Sequence, residues 1–146
     1  MQRLTPHFLL EEFTISSTAL SLGIENKPTP EHLENIKKLA EQMEAVRALF
    51  DRRIEITSGY RNPEVNAAVK GVPNSAHALG HAADFHVDGL TDLAAAKVIR
   101  DSDLKFDQII FEKNRCVHIS FDPRLRQQVL RQPGGPGSAV HQGLEP

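Results

Sequence analysis

The sequence predicts a compact α+β domain with a small, mainly antiparallel sheet flanked by helices. Three observations lead there. A single long amphipathic stripe follows Thr29-Pro30, short alternating runs recur between Arg53 and Phe121, and nothing repeats as a βαβ unit.

The first 28 residues mix apolar and polar side chains without a clean period, so only short helices are expected, at Leu9–Phe13 and Ser16–Leu22 before Gly23. Thr29-Pro30-Glu31 supplies a hydroxyl cap, a proline at the first helical position and an acid in the first turn. Leu33, Ile36, Leu39, Ala40, Met43, Val46, Leu49 and Phe50 then recur at steps of mostly three and four, the signature of a helix with one buried stripe. Arg53–Thr57 alternates as a strand, and Ser58–Arg61 turns out of it. Asn62-Pro63-Glu64 starts a short helix ending near Gly71. Val72–Ala78 reads as a loop, Ala82–Val87 as a strand, and Thr91-Asp92 as the start of a helix to about Arg100. Phe106–Glu112 and Arg115–Phe121 read as a hairpin across Lys113-Asn114. After about Arg131 the run Pro133-Gly134-Gly135-Pro136-Gly137-Ser138 predicts an unpacked, flexible tail, so the expected division is a domain over 1–131 and a tail over 132–146.

The totals narrow the function classes. A chain of 146 residues makes one ordinary domain, expected to bury roughly 68–70% of its unfolded surface. A net charge of −2 gives no reason to expect a nucleic-acid partner. No apolar run approaches the roughly 20 residues that span a bilayer, so no membrane partner is expected. The N-terminus lacks a secretory pattern and Cys116 is the single cysteine, so synthesis in a cytoplasm is expected.

The chemistry concentrates in Ser75-Ala76-His77-Ala78-Leu79-Gly80-His81-Ala82-Ala83-Asp84 and in Cys116-Val117-His118-Ile119-Ser120. His77 and Asp84 stand seven positions apart among small residues, one before a strand and one within it. His118 lies mid-strand, where its side chain has a fixed direction. Two imidazoles and a carboxylate form a sufficient donor set for zinc, which takes such ligands at about 2.0–2.2 Å and keeps a fourth position for water.

These residues also carry a family resemblance. Ser75-x-His77-x-x-Gly80-x-Ala82-x-Asp84 with Val117-His118-Ile119-Ser120 resembles the zinc D-Ala-D-Ala carboxypeptidases, a family that includes phage and bacterial L-alanyl-D-glutamate endopeptidases. Thr57-Ser58-Gly59-Tyr60-Arg61-Asn62-Pro63-x-x-Asn66 and Asp107-Gln108-Ile109-Ile110-x-Glu112 match as well. Leu4-x-x-His7-Phe8 with Glu12-Phe13 is similar to the phage and prophage branch, and the resemblance spans about Leu4 to Phe121. It implies a hedgehog/D,D-peptidase-like scaffold with one zinc ion on His77, Asp84 and His118. It further implies that Arg61 anchors a substrate carboxylate or stabilises an oxyanion, and that Ser75, Tyr60 and Gln108 bind substrate. The bland alternatives are a turn-holding salt bridge for Arg61 and a loop-bracing bond for Ser75. His86 is either a support for the metal site or a rim histidine, and His81 is expected to face solvent.

Two positions depart from the family pattern. Many relatives carry an acid three residues before the last zinc histidine, where this chain has Arg115, and most carry Trp where it has Cys116. Glu112 is the nearest upstream acid, and the hairpin register decides whether it serves as the base. A two-residue turn sets His118 opposite Ile109 and sends Glu112 to the other face. One more residue in the turn, or a bulge, sets His118 opposite Ile110, with Gln108 and Glu112 on its face. The expectation is a monomeric zinc metallopeptidase that cleaves peptidoglycan stem peptides, with Glu112 as base, acting on the bacterial wall in host lysis or entry. The alternative is a catalytically silent, zinc-stabilised wall-binding or assembly domain on the same scaffold.

Overall fold

A six-stranded sheet divides the molecule into an apolar side and a polar side. The computed structural model describes residues 1–146. Its elements are β1 (Arg3–Thr5), β2 (Phe8–Leu9), α1 (Leu10–Thr14), α2 (Ser17–Leu22), α3 (Pro30–Phe50), β3 (Ile54–Ser58), α4 (Pro63–Ala68), α5 (Ala76–Leu79), β4 (Ala82–Val87), α6 (Asp92–Arg100), β5 (Gln108–Glu112), β6 (Cys116–Ser120), β7 (Gln128–Gln132) and β8 (His141–Gln142). The large sheet runs β3-β4-β6-β5-β7-β8, and β1 pairs with β2 apart from it. Every pairing is antiparallel except β5 with β7. The expected α+β class with a mainly antiparallel sheet is what the structure shows. No helix is long and apolar enough to cross a membrane.

Helix α3 begins where its cap predicts: Thr29 Oγ1 accepts from the His32 amide at 3.1 Å, and Pro30 follows. Its stripe of Ile36, Leu39, Ala40, Met43 and Val46 is fully buried. Leu49, expected in that stripe, is exposed, while Phe50 next to it packs against the core. Alternate residues of the strands, Ala83, Phe85, Val87, Ile109, Val117 and Ile119, join α3 and the Ala95, Ala96 and Ile99 face of α6 in one core. Each fully buried Val, Leu, Ile or Phe side chain contributes roughly 1.5–3 kcal/mol. The alternation that sends these residues inward sends Asp84, Gln108, Ile110, Glu112 and His118 to the opposite face.

Of the two hairpin registers open in the sequence, the structure takes the longer turn. Glu112 pairs with Cys116, Ile110 with His118 and Gln108 with Ser120. Lys113, Asn114 and Arg115 make the connection, with the Arg115 amide donating to the Glu112 carbonyl at 2.9 Å. Asn114 takes φ 63°, a left-handed conformation that asparagine tolerates well.

Two expectations are corrected. The segment Val72–Ala78 is not all loop: Ser75 caps the four-residue helix α5, too short to show a hydrophobic period. The chain beyond Arg131, read as an unpacked tail, folds back on the sheet. Strand β8 pairs with β7, and Leu144 is buried in the core at 3% exposure. The Pro/Gly run is a turn, with Gly135 and Gly137 at φ 91° and 78°, and turn composition resembles tail composition.

Candidate metal centre and cleft

The centre is assembled from two neighbouring strands and one short helix. Asp84 on β4 and His118 on β6 are direct cross-strand partners, so their side chains rise side by side. His77 comes from α5, outside the sheet. Ser75 Oγ caps that helix by accepting from the Ala78 amide at 3.2 Å, and Gly80 ends it at φ 84°. A Cβ at Gly80 would lie 3.0 Å from the His32 carbonyl oxygen and 3.2 Å from Ile36. Glycine therefore lets α5 sit close against α3, where Asn35 also donates to the Leu79 carbonyl at 2.8 Å.

His77 Nε2 lies 3.2 Å and His118 Nδ1 2.9 Å from the same oxygen, Asp84 Oδ1. All three donor atoms fall within 4.8 Å of one another. His77 Nδ1 is 2.7 Å from the Gly59 carbonyl, which only accepts, so that nitrogen carries the hydrogen. Without a cation, Nε2 meets the Asp84 carboxylate only by also carrying a proton; with Nε2 unprotonated, both are acceptors and a cation between them satisfies both. Both histidines are buried, at 4% and 8% exposure. The donor types, their spacing and this tautomer fit zinc. Burial opposes the Asp84 charge, yet the neighbouring His77 charge and hydrogen bonds from both histidines hold its carboxyl far below the usual range. Burial pulls His118 down, but the hydrogen bond and charge of Asp84 outweigh it and leave it raised.

Glu112 stands beside this cluster. Its carboxylate, the Asp84 carboxylate and Cys116 Sγ lie within 4.8 Å of one another. Arg115 Nη1 holds Glu112 Oε1 at 2.8 Å. Burial and the Asp84 charge push Glu112 above its ordinary value. Cys116 is buried and absent from the cleft lining, and burial pushes its thiol up, as for a small hydrophobe.

Above the cluster lies an open cleft of ≈ 590 Å³, lined by His77, Asp84, His118, Glu112, Arg61 and Gln108 among others. Arg61 enters none of the chain's ion pairs, so it is not a turn-holding salt bridge. Its Nε–H is buried without an acceptor. Burial pulls Arg61 down and the Asp84 and Glu112 charges pull it back. Gln108 lines the cleft, with Nε2 donating to Gln128 at 2.7 Å.

Tyr60 does not line the cleft. It is 1% exposed in the core, with its hydroxyl 3.1 Å from His32 Nδ1. Ser75 reaches the cleft rim, but its hydroxyl already caps α5 and donates to Asn66 Oδ1 at 3.2 Å. His86 pairs with Asp92 at 2.7 Å and supports no metal donor. His81 is half-buried rather than solvent-facing. Sequence reasoning missed the Gly59 carbonyl as the group that orients His77. It also missed Asn26, which donates to the Thr14 and Tyr60 carbonyls at 2.9 and 2.8 Å and accepts from the Asn62 amide at 2.8 Å. Asn26 gave no signal, since a lone asparagine in a polar stretch matches many surface positions.

Two buried imidazoles, a shared carboxylate and a second carboxylate beside them, opening on a cleft, define a metallohydrolase-type centre on an α+β scaffold. The chain belongs to the peptidase M15 family, whose model matches residues 6–120. Family members are zinc-dependent peptidases, and His77, Asp84 and His118 form a group that could hold a metal ion. No curated protein matches the chain.

Proposed function

We propose that this chain is a zinc-dependent peptidase that hydrolyses stem peptides of bacterial peptidoglycan. The observation that carries the reading is Glu112 beside the three-donor group, on the face of His118 and within 4.8 Å of the Asp84 carboxylate. When bound, zinc acidifies water and polarises a carbonyl. Glu112 accepts the proton of the attacking water at its carboxylate and returns it to the leaving amine. Burial and the Asp84 charge raise the Glu112 pKa above its ordinary value, the direction that favours holding a transferred proton. Arg61, which lines the cleft and enters no ion pair, binds the carbonyl oxygen as negative charge develops or a neighbouring substrate carboxylate. Gln108 uses its amide nitrogen within the sheet and offers its amide oxygen to a substrate N–H.

The substrate class is supported by family membership and by the motifs shared with the D-Ala-D-Ala carboxypeptidases. Arg61 lines the cleft free of any ion pair, while Arg115, Arg124 and Arg126 there are held by Glu112, Asp122 and Asp107; one free guanidinium suits a stem-peptide carboxylate. The cut is endopeptidic or at a terminal D-Ala, the enzyme acts as a monomer, and its N-terminal pattern supports wall lysis in a phage or prophage setting.

Incubation with purified muropeptides, followed by mass spectrometry, tests the activity and locates the cut together. Cleavage that a chelator abolishes and zinc restores is expected. Glu112→Gln should retain zinc and lose about 10²–10⁴-fold in kcat. Wall binding without any zinc-dependent cleavage would instead favour a silent binding domain.

A further inference from the structure

Arg115 sits where the family resemblance leads one to expect an acid, yet it is built into the site. Its Nη1 pairs with Glu112 Oε1 at 2.8 Å. Its Nη2 donates to Gln132 Oε1 at 2.6 Å. Gln132 Nε2 in turn donates to the Ser138 carbonyl at 3.0 Å, and Ser138 Oγ closes the Gly135–Ser138 turn at 2.6 Å. Gln132 is also the direct parallel partner of Glu112, so β5 and β7 hold the two ends of this chain of bonds in register. Pro136, from the same turn, lines the cleft.

We propose that Arg115 and Gln132 are positioning residues for Glu112, and that the C-terminal segment thereby sets the geometry of the peptidase site. The proposal rests on the reading of Glu112 as proton carrier. A glutamate side chain left free spreads over several rotamers, and fixing it costs entropy. The arginine fork is planar and rigid, so tying one terminal nitrogen to Gln132 fixes the other, which holds Glu112 Oε1. With that oxygen held, Oε2 is left to face the reacting water. One terminal nitrogen of Arg115 is paired with Glu112 and the other donates to Gln132, which assigns both to protein partners rather than to substrate. The family match ends at residue 120, so β7, Gln132 and the 135–138 turn lie outside it.

The test is a mutant cycle in the full-length protein, assayed on purified muropeptides. Arg115→Met should lower kcat about 100-fold while KM stays within about 2-fold, because a misplaced base slows chemistry and spares binding. Arg115→Lys should recover part of that loss by restoring one charged contact. Gln132→Leu should lower kcat about 10-fold, and zinc content should remain at one equivalent throughout. On a Glu112→Gln background, Arg115→Met should slow the residual rate no further and leave muropeptide Kd unchanged.

A raised KM with unchanged kcat for Arg115→Met would overturn the proposal, as would a rate loss that persists in full on the Glu112→Gln background. Unchanged kcat in Gln132→Leu would refute the link to the C-terminal segment, and this variant carries the cycle alone if Arg115→Met fails to fold. Full activity of Glu112→Gln by itself would instead remove the proton-carrier reading, which separates the two failures.

Discussion

Replacing Gly59 with alanine tests the construction of the metal centre at the point where fold and site meet. A Cβ at Gly59 would lie 2.6 Å from the Phe13 carbonyl oxygen, 2.8 Å from its Cα and 3.0 Å from its carbonyl carbon. All three are backbone atoms and cannot swing aside. The clash falls between two short hydrogen bonds: the Tyr60 amide donates to that same Phe13 oxygen at 2.7 Å, and the Gly59 carbonyl holds His77 Nδ1 at 2.7 Å. Relief therefore requires the Gly59 peptide to move, and with it the group that orients His77. Overpacking of this kind costs about 1–3 kcal/mol. In a domain of this size that corresponds to a fall of roughly 2–12 °C in Tm. Disturbing the partner of a ligating histidine typically weakens metal binding about 10–100-fold. Thermal melts followed by circular dichroism, with zinc affinity by competition against a chelating dye, give both numbers. Unchanged zinc affinity in a folded but destabilised variant would refute the claim that this carbonyl orients His77. An unchanged Tm would refute the close approach itself.

Three further outcomes follow. His118→Ala should purify without bound zinc and without peptidase activity, while His86→Ala, whose ring pairs with Asp92, should keep its metal; atomic absorption distinguishes them. Leu144→Ala should cost about 2–5 kcal/mol in denaturant titrations, as expected for a buried leucine and not for a residue of a loose tail. Asp122 is held at about 2 against an ordinary 3.8, first by the side-chain hydrogen bond from Arg124 and then by that residue's amide. A depressed carboxyl stabilises the fold above the ordinary value and loses that contribution as pH falls through the folded one. Acid titration of stability should thus show a component between about pH 4 and pH 2 that Asp122→Asn abolishes. The component should be small, because Arg124 is largely exposed and solvent screens the pair.

What the sequence made legible is what simple periods encode. Thr29, Pro30 and the stripe to Val46 announce α3, because cap and stripe act locally. Asp84 and His118 fall on one face because alternation along β4 and β6 leaves no other arrangement once the strands pair. Glu112 was left between two faces, since a single residue in the turn decides its side and Lys113-Asn114 fits either length. Tyr60 is not the cleft residue that the resemblance implies: Arg61 reaches the cleft, but the preceding ring turns into the core toward His32. Strand β7, Gln128-Val129-Leu130-Arg131-Gln132, carries too few apolar residues to stand out, and its parallel partner lies across an intervening strand in sequence. Leu144 is a single buried anchor, and one residue has no period.

The arrangement also explains how two carboxylates coexist in a largely buried site. Asp84 and Glu112 lie within 4.8 Å of each other, and like charges at that distance raise the cost of ionising both. Each is matched by a different partner. Asp84 is compensated by His77 and His118, the two residues that join it in the metal donor group. Glu112 is compensated by Arg115, whose charge is independent of any metal. An arginine at that position thus leaves the acid of the site ionisable while the metal ligands serve the ion. With Glu112 read as the proton carrier, it needs both a cationic neighbour and a turn long enough to bring it to the face of His118. The chain has both, in Arg115 and in the left-handed Asn114 that lengthens the turn. Arg115 and the three-residue turn thus serve the same residue, and replacing Arg115 with an acid alone would bring a third negative charge against Glu112 and Asp84.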